Sequence, residues 1–385
     1  MPDAWTVNVP IDWSPSSLSK YLETILRRVK DSPLRLVVRD GRRSVKAEFL
    51  SAFSNALRNA KVKKVESLSF FFCRADMAYF PQLFMDLLPA APRSLTIQAL
   101  PSLHARGVTK RMKGSLLKAF FIPAGSILMA IESIQVVDVM LGIDFNGQNK
   151  STMALRSLRI QQSGDESGQR LRCGLLSNAF LLKCAHLETF VFHGRFLHQH
   201  PAVGTPTVSP LRELYMAEFD LVIILRSLSV DMSFPNLTRF GTAMYSSSAL
   251  VQFLSTTPSI SDLSLPWVDS RIASPLPQIT KLTVSSNGLY ALYSLPQDGV
   301  CIFTRLEELI IDCRLAEVSQ EVLETLIDVR VVHATANGYE RPLSSVSLWR
   351  SSKSEKTVPE TWMSTQEEND HLSKVFLPLA WNALL

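Results

Sequence analysis

Cys184, His186, His193, His198 and His200 crowd into one short stretch and carry the thiolate and imidazole donors that zinc takes. Their intervals fit no zinc pattern, and His198-Gln199-His200-Pro201 reads as a solvated loop ending in Thr205-Pro206. Gly164-Asp165-Glu166-Ser167-Gly168 approaches the nucleophile elbow G-x-S-x-G, but its serine stands one place late in a polar stretch. Glycine is only 15 of 385 residues, and neither the G-x-x-x-x-G-K-S/T phosphate loop nor G-x-G-x-x-G occurs. No ordered Ser/His/Asp set stands out. The expectation is a binding protein with no catalytic residue, cofactor or metal; an enzyme with a dispersed site is the alternative.

Recognition is the chemistry that remains. Gln135, Arg159, Gln161, Glu213, Tyr215, Lys281, Glu308 and Asp312 offer amide, charge and aromatic groups, a mixture that suits contact with a protein partner. They occupy x positions in or just after a recurring phrase, Leu-x-x-Leu-x-Leu with aliphatic or aromatic replacements. It runs through Val65–Phe70, Leu155–Ile160, Leu211–Met216 and Leu306–Ile311, and is fullest at Ile279–Leu289, where it continues through Asn287. Weaker copies lie at Arg93–Ile97, Ile131–Val136, Leu187–Phe192, Leu237–Phe240, Ile260–Leu265 and Leu343–Leu348.

The last two apolar residues of the phrase alternate about one x, as in a half-buried strand, so the x residues are expected to face out. One unit cannot seal its apolar side alone and needs stacked neighbours, which is the signature of leucine-rich repeats. From Leu68 to Leu309 the copies fall 19 to 39 residues apart, against about 20 to 29 in regular arrays. Inserted loops are therefore expected near 98–130 and 161–186. Phe49–Leu57 and Ala249–Leu254 carry helical spacing, and proline precedes the strands at Pro92, Pro210, Pro235, Pro258 and Pro277. The fold expected is α/β: an irregular helix-turn-strand solenoid with a parallel sheet on its concave face. An ordinary α/β sheet with Leu-rich strands is the alternative.

Three regions follow: an N-terminal cap over 1–30, the repeats over 31–350, and a polar tail over 351–385 whose apolar run Val375–Trp381 could cap the array. Hydrophobic residues make up 46% and charged residues 19%, so most of the chain should fold. No apolar window spans a membrane and the start lacks a signal-peptide pattern, so a cytoplasmic or nuclear location is expected. Five cysteines, sparse and odd in number, suit reduced thiols, with Cys73 at the Asn/Cys position of the repeat. Net charge is +5, and the first 64 residues hold about 13 Lys or Arg against about 6 acids. No nucleic-acid motif accompanies this excess, which reads as a solvated face that includes Arg42, Arg43 and Lys46.

Trp5-Thr6-Val7-Asn8-Val9-Pro10, then Ser17–Arg28, then Asp31-Ser32-Pro33-Leu34-Arg35-Leu36 resembles the segment after the F-box in F-box/leucine-rich repeat proteins of mushroom-forming fungi. There, a tryptophan closes the F-box region, a strand follows, and a helix leads into the first repeat. The resemblance covers about residues 5–350 and implies the substrate-recognition part of a ubiquitin-ligase adaptor. In that family the F-box opens with a Leu-Pro-x-Glu-like phrase and docks on a Skp-type linker. No such phrase precedes Trp5. The linker is thus an expected partner only through an F-box upstream, and an F-box-less binding protein unconnected with ubiquitin is the alternative.

Overall fold

The computed structural model describes residues 5–10, 14–29, 32–39, 49, 51–53, 55, 65–73, 92–100, 120–123, 131–137, 141–144, 154–161, 174–177, 184–192, 195–197, 207–216, 232–242, 248–268, 276–289, 292, 303–313, 318–337 and 343–349. The chain divides into two compact units, Met1–Ala202 and Val203–Leu385.

Among the described residues of the first unit the strands are β1 (Trp5–Pro10), β2 (Leu34–Arg39), β3 (Val65–Cys73), β4 (Ser94–Leu100), β5 (Phe120–Pro123), β6 (Ser133–Val137), β7 (Leu141–Asp144), β8 (Ser157–Gln161), β9 (Gly174–Ser177), β10 (Thr189–Phe192) and β11 (Arg195–Leu197). The main sheet runs β1-β2-β3-β4-β6-β8-β10, with every pair parallel. Residues 1–30, expected as a cap, supply its first strand and the helix α1 (Pro15–Val29). Ser14 caps that helix: its Oγ accepts from Ser17 N at 3.3 Å and its carbonyl from Leu18 N at 3.0 Å. Pro15 suits the first helical position, and Arg27 and Arg28 face the negative end of the helix dipole. Leu18, Leu22 and Val29 are its buried stripe.

The regions expected as inserted loops contain strands of a second sheet. It runs β11-β9-β7-β5, again parallel. Between Phe120 and Leu197 the described elements on both sheets are strands.

The second unit holds β12 (Thr207–Val208), β13 (Glu213–Met216), β14 (Met232–Ser233), β15 (Arg239–Thr242), β16 (Asp262–Leu265), β17 (Lys281–Ser285), β18 (Glu308–Asp312) and β19 (Ser345–Trp349), with β13-β15-β16-β17-β18-β19 in one parallel order and β12 paired with β14. Its described α-helices include α2 (Ser248–Thr256), as the spacing predicted, and α3 (Gln320–Asn337), which no repeated phrase marks. Phe253 of α2 packs on Phe240 and Phe234, with ring centroids at 5.2 and 5.9 Å. Leu323, Leu326 and Arg330 are the buried side of α3, and Arg330 Nη1 donates to the Phe303 carbonyl at 2.8 Å.

The middle leucines form the core row. Leu95, Ile134, Leu158 and Phe190 are in mutual register in the first unit, and Leu214, Phe240, Leu263, Leu282, Leu309 and Val346 in the second, none more than 4% exposed. Strand entry follows one geometry. In Phe234–Leu237, Thr257–Ile260, Leu276–Ile279 and Phe303–Leu306 the fourth residue donates its N–H to the first carbonyl at 3.2 to 3.3 Å. Cys184–Leu187 turns the same way at 3.1 Å. Pro235, Pro258 and Pro277 hold the second position of these turns, where a fixed φ costs nothing and no N–H is needed.

After each turn comes a forked bond. The carbonyl one residue before a strand accepts the N–H of the corresponding residue in the next repeat and of the residue after it. Arg93 O takes Glu132 and Ser133, Glu132 O takes Arg156 and Ser157, Thr238 O takes Ser261 and Asp262, and Ser261 O takes Thr280 and Lys281, all at 2.7 to 3.2 Å. Both lone pairs of the carbonyl are thereby used. The same fork recurs at Arg156, Arg212, Thr280 and Glu307.

Candidate interaction face

The strand face opposite the leucine row carries the x residues. In the first unit the central x positions run Asn8, Val37, Ser69, Thr96, Gln135, Arg159 and Val191 in continuous register. Gln135 and Arg159 are thus direct neighbours, both half-buried. Gln161 continues β8 opposite Val137, and its side chain lies outside the described residues. In the second unit the same row is Tyr215, Gly241, Ser264, Thr283, Ile310 and Ser347. Not all x residues face out: Val191 is fully buried, and Gly241 and Ser264 are buried too. Asp312 stands at the end of β18, between Ser285 and Trp349.

The charges on this face are largely matched to one another. In the second unit the first strand residues form a row in register, Glu213, Arg239, Asp262, Lys281 and Glu308, whose signs alternate. Arg239 bridges both acids beside it, Nη1 to Glu213 Oε1 at 3.2 Å and Nε to Asp262 Oδ2 at 3.1 Å. Lys281 Nζ meets Glu308 Oε1 at 3.1 Å. Glu213, expected at an accessible position, is buried, with its side chain 9% exposed. Burial pushes the Asp262 carboxyl above its ordinary range, and the nearby Arg239 and Lys281 charges only partly offset that.

In the first unit the alternation sits one residue earlier: Glu66, Arg93, Glu132, Arg156 and Glu188. Arg93 Nε bonds Glu132 Oε2 at 2.7 Å and Arg156 Nη1 bonds Glu188 Oε1 at 3.1 Å, while Glu66 accepts from Arg35 Nε at 3.1 Å. Ser67 of β3 and the first residues of β4, β6, β8 and β10, Ser94, Ser133, Ser157 and Thr189, carry hydroxyls in one register row. In the second unit hydroxyls stand in the position before four strands, at Thr238, Ser261, Thr280 and Ser344, and Arg212 and Glu307 stand there before β13 and β18. Thr238 and Ser344 each donate to the forked carbonyl of the preceding repeat, at 3.3 and 2.8 Å. Charge and hydroxyl thus share the entry positions in both units.

Arg239 and Asp262 belong to the face but were not among the expected contacts. The signal was in the sequence, as a change of sign at one fixed place in successive phrases.

Glycine shapes the face at Gly241, where an added β-carbon would meet Tyr215 Cδ2 at 2.5 Å and Ser264 Cβ at 3.2 Å. Gly288 does the same at the strand ends, letting the chain pass the Pro266 carbonyl and the Trp267 backbone. Asn287 beside it is exposed and Leu289 is buried.

Of the zinc-type cluster, Cys184 is buried at the first position of its turn and His186 is exposed at the third, while His193, His198 and His200 lie outside the described residues, as do Arg42, Arg43, Lys46 and the 351–385 tail. Among the described residues no group of three His, Cys, Asp or Glu side chains could hold a metal, and no helix is long and apolar enough to cross a membrane. Cys184 and Cys313 are buried, and Cys313 Sγ donates to the Ile311 carbonyl at 3.6 Å. Compared with known proteins, the sequence matches no protein-family model and no curated protein.

Proposed function

We propose that the chain is a leucine-rich repeat solenoid that binds a protein partner on the x face of its strands. The observation that carries this reading is the half-buried row Ser69, Thr96, Gln135 and Arg159, held in register across four strands. Hydroxyl, amide and guanidinium groups follow one another on a rigid backbone, opposite a sealed core. Such a surface presents directional polar groups with little ordering cost, which favours a macromolecule that spans several strands.

The β1-α1-β2 order of residues 5–39 supports, as a second step, the recognition part of an F-box-type ubiquitin-ligase adaptor, because the resemblance implies that layout. The two steps separate in one experiment. A photo-crosslinker at Thr96 or Gln135 of the full chain should capture one protein, and Arg159→Glu should weaken that capture about tenfold or more. The same crosslinker at Glu23, on the exposed side of α1, should not capture it. Equal capture at both places would defeat the face assignment. Ubiquitination of the captured protein that depends on this chain would support the adaptor role, and its absence would leave a binding protein outside the ubiquitin system.

A further inference from the structure

We propose that the alternating charges at the strand entries select which repeats become neighbours and in what register. The apolar code cannot do this. Phe240-Gly241-Thr242, Leu263-Ser264-Leu265, Leu282-Thr283-Val284 and Leu309-Ile310-Ile311 present similar apolar sides with a period of two, so a two-residue slip or a skipped strand keeps a buried row in place. The charge row distinguishes these arrangements. Leaving out β15 would set Glu213 beside Asp262, and leaving out β17 would set Asp262 beside Glu308. A two-residue slip of β17 against β18 would set Lys281 beside Ile310 and break its contact with Glu308.

Partial burial gives the row its weight, because like charges at such spacing cannot be screened as they are in open water. Glu213 and Asp262 have side chains 9% and 14% exposed, and Arg239, Lys281 and Glu308 stay near one-third. In the first unit the signs also alternate from Glu66 to Glu188, through contacts of 2.7 and 3.1 Å, but the Arg93 and Arg156 side chains are 66% and 62% exposed and their charges are more strongly screened. Two rows at different positions in the phrase thus follow the same rule. The device also accounts for how repeats of unequal length find their order: the discriminating groups sit at the fork, whatever the chain between forks contains.

The test uses the full chain carrying Asp262→Asn, which removes the acid on the other side of Lys281. Two cysteine pairs report register after refolding from urea under mild oxidation. Thr283→Cys with Ile310→Cys links the native neighbours, and Thr283→Cys with Asp312→Cys links a two-residue slip; disulfide mass spectrometry identifies each. Lys281→Glu and Glu308→Lys should each lower the ratio of native to slipped product about twofold to fivefold, the range a partly exposed ion pair spans. The two together restore opposite signs and should return the ratio to that of the parent. A ratio unchanged by the single reversals, or not recovered in the double variant, overturns the proposal. If a single reversal prevents folding and neither link forms, recovery in the double variant still decides.

Discussion

The ring of Tyr215 lies across Gly241 on the neighbouring strand, with Cδ2 2.5 Å from the place a β-carbon at residue 241 would take. An aromatic side chain covering a strand glycine stands in for the missing side chain and pins its own rotamer. Gly241→Ala should cost ~1–3 kcal/mol, since the ring must leave its seat and Ser264 closes the other side. Urea unfolding checks this, and Tyr215→Ala with Gly241→Ala should cost less than the sum of the two.

Arg239 holds two acids that are mostly withdrawn from water. Truncation by Arg239→Ala strands both, at roughly 2–3 kcal/mol, somewhat below a fully buried pair because the guanidinium keeps a third of its surface in solvent. Glu213→Gln, which keeps a hydrogen-bonding group, should cost less. Strongly additive losses for Arg239→Ala and Asp262→Asn would argue against the contact.

Stability should also depend on pH through Asp262. Its folded carboxyl is raised, chiefly by burial, so the native state binds that proton more firmly than the unfolded chain does. The contribution is fully present below the ordinary carboxylate range and is lost as pH rises through the raised value. Relative to Asp262→Asn, the wild-type chain should therefore gain stability as the solution is acidified across that window. A difference that stays flat or falls would contradict the assignment.

Cys184 should be inert in the folded state. Burial pushes its thiol up to about 12, leaving almost no thiolate at pH 8. Iodoacetamide should label it only when the chain is unfolded in urea, as read by mass spectrometry of the Cys184 peptide.

Leu282→Asp places a carboxylate in the middle of the apolar row, where a lone buried charge costs several kcal/mol. Because each repeat is sealed by its neighbours, hydrogen exchange should speed up in β16 and β18 as well as in β17. Loss confined to β17 would mean weak coupling between repeats.

Much of this was legible in the sequence because burial leaves a local imprint. Leu214, Leu282 and Leu309 are visible as the middle residue of their phrases, and Pro235, Pro258 and Pro277 as turn residues. The residue before each of those prolines, Phe234, Thr257 and Leu276, is equally buried and completes the entry motif, though only the turn explains why. The second sheet was not legible, since β7, β9 and β11 are too short to show a period. The fate of Lys281 was hidden for another reason. Taken by itself, its strand offers an outward cation, and only the register with β18 brings Glu308 against it. Partners set by pairing rather than by spacing lie beyond any single phrase.

The forked carbonyls also bear on how such a chain can change. A proline at either donor position, such as Ser261 or Asp262, would remove one prong of a fork and leave a lone pair of the Thr238 carbonyl without its donor. Between forks the constraint relaxes, since doubling a loop costs only about 0.6 kcal/mol in closure entropy. The molecule therefore has fixed joints and editable spans, so residues can be gained or lost between joints while each joint keeps its place in the lattice of neighbours.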